Sequence, residues 1–225
     1  MVLVAHWKLD EGWGQTYADS AGGLSGVHTA EAESTLIRWP IGVPFCVGGF
    51  TGAGRIEVTS NESDLALSEA ITVTGWMRAH SDDPSFWVLS YTNGWTPKPE
   101  SENSLYSVGK ATSGRLRWYW NYDAGSAIDV YTDNYFCQRM TGHWTFFGFT
   151  RRISEEDAYI RFYTAPHTAY VLHDQEVTES SEYGPYHVPT GGSSSKFTLC
   201  GQYNDSGGDM DSWESLWDVR IYNER

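Results

Sequence analysis

Two kinds of side chain in this 225-residue sequence are spaced to do chemistry: aromatics interleaved with arginine and amide groups, and clustered carboxylates. In Arg115-Leu-Arg-Trp-Tyr-Trp-Asn-Tyr-Asp123, strict alternation sorts the side chains onto the two faces of a strand. Leu116, Trp118, Trp120 and Tyr122 share one face, which is either a core surface or a platform for sugar rings. Arg117, Tyr119 and Asn121 share the other. That mixture suits a polyol, because the ring offers an apolar surface to C–H groups while guanidinium and amide satisfy hydroxyls. Tyr159, Arg161 and Tyr163 repeat the pattern, with Ile160 and Phe162 turned inward. An ordinary solvated sheet face would read the same way. Trp95, in Asn-Gly-Trp-Thr-Pro, is either a further exposed aromatic or one tucked under its own loop.

Carboxylates cluster in Asn204-Asp-Ser-Gly-Gly-Asp-Met-Asp211 and continue to Glu214. Hard cations want several oxygen ligands, which such a loop supplies, but the Asp/Gly/Glu spacing of an EF-hand is missing. A solvated acidic loop is the simpler reading. Other chemistries find no support. There is no G-x-S-x-G elbow, and Gly109-Lys110 lacks the upstream glycine of a phosphate loop. His167 and His173 flank a short strand-like run without the close spacing of a metal pair.

The elements that must position these residues read as strands. The sequence holds 11 Trp, 14 Tyr and 23 Gly, a composition suited to pleated surfaces joined by turns. Strands are expected over 3–9, 55–59, 71–78, 86–91, 115–123, 144–151, 159–163, 197–202 and 219–222. Gly22, Gly23 and Gly26 mark a loop, as do residues 92–104 and 178–195. The segments 144–151 and 159–163 flank the charged turn Glu155-Glu156-Asp157 and read as a hairpin. No stretch keeps a helical period, and none approaches the roughly 20 apolar residues that cross a bilayer.

The formal charge of −14 argues against nucleic acid, whose recognition needs a basic patch, and against insertion into anionic membranes. It suits neutral polar ligands, cations or basic partners. Cys46, Cys137 and Cys200 are odd in number with no CxxC pair, so all three are expected as buried or free thiols. The opening Met1-Val-Leu-Val-Ala-His-Trp7 has no basic n-region and reads as a first strand, not a leader.

Four stretches then carry a resemblance. Leu3 to Gly12 with Asp19-Ser-Ala-Gly22 is an opening strand and Asp-Ser-x-Gly loop. Gly49 to Val58, followed by Ile71-Thr-Val-Thr-Gly-Trp-Met77, is a strand pair of the form G-x-G-x-x-(I/V)-x-V … T-(I/V)-(S/T)-x-W. Gly142-His-Trp-Thr-Phe147 is answered by Tyr159 to Tyr163, and Trp217-Asp-Val-Arg-Ile-Tyr-Asn223 closes the chain. In order, these resemble the laminin G-like, concanavalin A-like jelly-roll domains. One departure is Thr164-Ala-Pro-His-Thr168, where that family turns on a short Asn-Gly.

The resemblance implies an all-β fold, a two-sheet antiparallel jelly-roll β-sandwich of the concanavalin A-like kind, with residues 1–225 as a single domain. It also implies one structural calcium joining the Asp-Ser-x-Gly loop to the closing strand, carried here by Asp19 and Asp218. Retaining glucanases of this fold use a Glu-x-Asp-x-(x)-Glu strand with carboxyls about 5–5.5 Å apart. Asp209-Met-Asp-Ser-Trp-Glu214 puts Asp where the nucleophilic Glu belongs, so β-glucan hydrolysis ranks third. The first expectation is a non-catalytic, lectin-like module that binds a glycan or surface polysaccharide through Arg117, Tyr119, Asn121, Tyr159, Arg161 or Trp95. The second is a purely structural virion component of a phage, a decoration or fibre protein docked on a coat protein or assembled as a homo-oligomer.

Overall fold

In a computed structural model of the chain, residues 1–11, 15–29, 35–38, 47–51, 55–67, 70–78, 86–92, 106–111, 115–123, 126–132, 143–152, 159–166, 173–177, 196–201 and 215–223 are described. Numbered along the chain, the strands form two antiparallel sheets. Sheet A runs β14 (His173–Val177), β13 (Tyr159–Pro166), β12 (Thr145–Arg152), β7 (Ala70–Arg78), β16 (Ser215–Asn223), β5 (Val47–Thr51) and β4 (Thr35–Arg38), with β1 (Val2–Trp7) also paired to β16. Sheet B runs β11 (Ser126–Tyr131), β10 (Leu116–Asp123), β9 (Tyr106–Lys110), β8 (Phe86–Thr92), β15 (Lys196–Leu199), β6 (Arg55–Val58), β3 (Gly26–Thr29) and β2 (Thr16–Tyr17). The fold is a β-sandwich, as the alternation requires.

Period two decides what fills it. From sheet B, Leu116, Trp118 and Trp120 point inward and are fully buried, which settles that face of β10 as core. From sheet A, Phe147, Phe149, Ile160, Phe162, Val73 and Ile221 meet them. Trp7 stacks on Phe197 across the sandwich, with centroids 5.5 Å apart and planes at 17°. Its indole N–H donates to the Leu24 carbonyl at 2.8 Å, so this buried ring keeps its one polar atom satisfied. Arg151 shares the inward side of β12 and is 2% exposed, its guanidinium 4.3 Å from the Trp120 centroid. A delocalised cation laid on an indole loses less on desolvation than an ammonium would.

Local corrections have local causes. Gly26 lies within β3, not a loop; a Cβ there would sit 2.4 Å from Ile56 Cγ2 of the neighbouring strand, so the close approach demands glycine. The strand expected to reach residue 202 ends at Leu199, because Cys200 turns to φ 60°. The polar run after Asn61 forms a single 3-10 turn, Glu62–Leu65, whose Leu65 carbonyl accepts the buried Tyr106 hydroxyl at 2.8 Å. The 144–151 and 159–163 segments pair as foreseen, from Thr145↔Pro166 to Arg152↔Tyr159. Thr164 to Pro166 therefore continue β13 where the family pattern would turn.

Candidate functional site

The sandwich has two outward faces, and the candidate residues divide between them. On sheet B, Trp87, Gly109, Arg117 and Tyr131 stand opposite one another across β8, β9, β10 and β11. Gly109 places no side chain between its neighbours, and the Arg117 guanidinium lies 4.4 Å from the Trp87 ring centroid. Arg117 Nε and Nη2 each donate to one Asp129 carboxylate oxygen at 2.8 Å, a bidentate pair. The Tyr131 hydroxyl donates to the same carboxylate at 2.6 Å. Desolvation, then that bond to Asp129, push the Tyr131 phenol above its usual range, with Arg117 opposing. Tyr119 packs on Trp87 at 6.2 Å. Beyond this cluster, Ser90, Ser107 and Thr198 face outward yet are fully buried. Ser90 and Ser107 hydroxyls share a 2.7 Å bond, and Thr198 donates to the Gly201 carbonyl at 2.8 Å. These outward hydroxyls are therefore out of reach of solvent.

Sheet A presents a different surface. Phe146, Trp76 and Trp217 are direct cross-strand partners on β12, β7 and β16, so their rings form a strip perpendicular to the strands. Trp76 lies 5.8 Å from Phe146 and 6.0 Å from Trp217, and Trp144, just before β12, lies 6.4 Å from Trp217. All four rings are partly exposed. The next row of the same face is polar: Tyr163, Gly148, Thr74 and Arg220 stand opposite one another, and Arg220 faces His6 of β1. Tyr163 leans over Gly148, where a Cβ would meet the Tyr163 ring at 3.2 Å. Arg161 and Tyr159 are on this face too, two and three rows beyond the strip, with the Arg161 guanidinium 5.4 Å from the Tyr159 centroid.

A β-bulge makes the strip. Leu216, Val219 and Ile221 of β16 all point inward, a spacing of three and then two, because the register shifts between Trp217 and Arg220. Asp218 takes the extra residue at φ 54°, a left-handed conformation that Asp tolerates better than most. The shift lets both Trp217 and Arg220 face outward despite their odd spacing. His6 pins the bulge: its Nε2 meets Asp218 Oδ1 at 2.6 Å and its Nδ1 meets the Ser20 hydroxyl at 2.8 Å. Arg220 Nη2 closes on Asp218 Oδ2 at 2.9 Å. Asp19 fixes the backbone beneath, accepting the N–H groups of His6 and Ala21 on Oδ1 at 2.8 and 2.9 Å and that of Leu24 on Oδ2 at 3.2 Å.

Asp19 and Asp218 are thus brought to one place, joined through His6. The donors around them do not fit a calcium ion, which wants six to eight oxygens. Both Asp19 oxygens already accept amide N–H bonds, and Asp218 is held by an imidazole and a guanidinium. Among the described residues no group of three or more His, Cys, Asp or Glu is placed to hold a metal. Trp95, the Asp209 to Glu214 carboxylates, His167, Cys46 and Cys137 lie outside the described residues, as does the side chain of Asn121. Cys200 is buried. No described helix is long and apolar enough to cross a membrane. Sequence reasoning missed Trp76, Phe146 and Trp217 as surface residues. Alternation with Thr72 and Thr74 exposes Trp76; nothing in the sequence announces the bulge that turns Trp217 outward.

No protein-family model matches this chain, and no curated protein sequence is significantly similar to it. Solved structures share its fold. The binding domain of botulinum neurotoxin serotype D/C aligns over 99% of this chain and 49% of its own, at a TM-score of 0.58 and 16% identity. Trypanosoma rangeli sialidase in complex with sialic acid aligns over 99% and 31%, at 0.56 and 13%. A botulinum neurotoxin type C structure, concerned with cell entry through two ganglioside molecules, aligns over 99% and 48%, at 0.53 and 14%. The chain spans about half the length of the neurotoxin structures and a third of the sialidase. At such identities the likeness is one of fold.

Proposed function

We propose that this β-sandwich is a non-catalytic carbohydrate-binding module whose ligand sits on the outer face of sheet A. The observation that carries the reading is the strip Phe146–Trp76–Trp217 with a row of donors and acceptors beside it. An aromatic ring covers the C–H face of a pyranose, and Thr74, Arg220 and Tyr163 lie one row away, within reach of its hydroxyls. Two residues along a strand span about 6–7 Å, roughly the breadth of one sugar ring. Neutral sugars also meet no charge penalty on a chain of net charge −14.

The structural neighbours support the class of ligand, since one holds sialic acid and another is tied to gangliosides, although those are far longer chains. The ordered laminin G-like motifs support the same assignment. The sheet B face named from the sequence, Arg117 and Tyr119, is read here as scaffold, because the ring beneath Arg117, Trp87, is only 4% exposed.

The test is a glycan-array screen of the folded protein with calcium and again with chelator. Sugar-competable signals that vanish in Trp76→Ala and are indifferent to chelator are expected. A blank array from folded protein would sink the reading and return the structural, coat-docking role to first place.

A further inference from the structure

Resting on that reading, we infer that the sheet A face takes a single terminal or near-terminal sugar in a notch, and not an extended polysaccharide laid flat. The four rings are not coplanar. Trp76 and Trp217 lie within 33° of each other, with centroids 6.0 Å apart. Phe146 is inclined at 71° to Trp76, and Trp144 at 74° to Trp217. Trp76 and Trp217 are the pair nearest to parallel, about one pyranose breadth apart, while Phe146 and, from just before the same strand, Trp144 each stand steeply to the ring they touch.

Stacking along an extended chain needs rings in one plane at the repeat of the sugar units, since each unit contributes only its own face. Here the third ring of the strip is inclined at 71° to its neighbour, where a second sugar would need a ring in the same plane. Phe146 therefore bounds the site beside Trp76 and meets the sugar there through apolar contact with its C–H groups.

The polar row sets the other boundary. Arg220 and Thr74 are cross-strand partners one row from the strip, and Asp218 fixes the guanidinium in place. Adjacent hydroxyls of one sugar match these two residues, accepting from the guanidinium and exchanging bonds with the threonine hydroxyl. The bulge at Asp218 keeps the pair beside the strip. A straight strand would place Trp217 and Arg220 on opposite faces.

The experiment uses the full chain and calorimetric titration with lactose, α-2,3-sialyllactose, and β-1,4-linked glucose and N-acetylglucosamine series from the disaccharide to the hexasaccharide. Sedimentation with insoluble cellulose and chitin accompanies it. The expected result is affinity for at least one soluble sugar that changes by less than about twofold beyond the disaccharide, with no retention on either solid. Phe146→Leu, which keeps an apolar outer residue but removes the inclined ring, is expected to weaken that binding fivefold or more. Affinity that climbs tenfold or more with chain length, or retention on cellulose or chitin, overturns the notch and leaves the carbohydrate reading standing. Unchanged affinity in folded Phe146→Leu also overturns it. Folded protein that binds no saccharide removes both.

Discussion

The two outward faces of the sandwich both carry arginine among aromatic rings, yet they spend those residues differently. On sheet B, Arg117 gives one edge to Asp129 and one face to Trp87, and the serine and threonine row beyond it is fully buried. Such a cluster is satisfied before any ligand arrives. On sheet A, the arginine beside the rings is held against Asp218 on a half-buried bulge, and the rings contact one another with part of each surface open to solvent. The lesson is that an Arg-aromatic alternation is ambiguous as a binding signal. Ring burial decides it: Trp87 is almost wholly buried beneath its arginine, whereas Trp76, Phe146 and Trp217 each keep part of a ring exposed.

That contrast can be broken experimentally, beginning with its strongest consequence. Trp217→Ala should lower saccharide affinity at least tenfold, about 1.4 kcal/mol, while leaving the thermal midpoint nearly unchanged, as titration and calorimetry would read. Arg117→Ala should do the reverse. It frees Asp129 and uncovers Trp87, so unfolding free energy should fall by about 1–2 kcal/mol in denaturant titration, with affinity held within twofold.

Asp218→Ala should cost about 1 kcal/mol of stability and severalfold in affinity, because a positive φ loses both its tolerant residue and its anchors. Asp218→Asn, which keeps the tolerance for that backbone, should recover most of the affinity. A loss of affinity equal in both variants would assign Asp218 to direct ligand contact and not to the bulge.

The smallest effect is a pH dependence confined to sheet B. The folded Tyr131 phenol is raised above the ordinary value of 10.0, so its neutral form is favoured by folding. The associated stability is complete below the unfolded value and is lost as pH rises through the folded one. Denaturant midpoints should therefore decline above about pH 10, and Tyr131→Phe should lessen that decline, the rest falling to Tyr106, whose phenol burial pushes well above its ordinary value. Saccharide affinity at the opposite face should not follow it.

Much of this was legible in the sequence, and the remainder was hidden for definite reasons. Alternation correctly put Leu116, Trp118 and Trp120 on one face, which the structure buries, and correctly turned Ile160 and Phe162 inward. It could not say which outward face stays open, because Asp129 lies on a neighbouring strand and its pairing with Arg117 depends on register. Short strands such as Thr16–Tyr17 and Thr35–Arg38 offer too few residues for a period to emerge. Trp217 was obscured by a one-residue insertion that reverses every side chain before it. Asp19 and Asp218 were singled out for calcium; they do share one place, but the imidazole of His6 and guanidinium of Arg220 fill it.

The most direct measurement is a parallel titration of wild type, Trp217→Ala and Arg117→Ala with the strongest soluble saccharide from the array. The account predicts that Trp217→Ala loses tenfold or more while Arg117→Ala, though less stable, binds as the wild type does. Retained binding in Trp217→Ala with loss in folded Arg117→Ala would move the site to sheet B and contradict the assignment of faces.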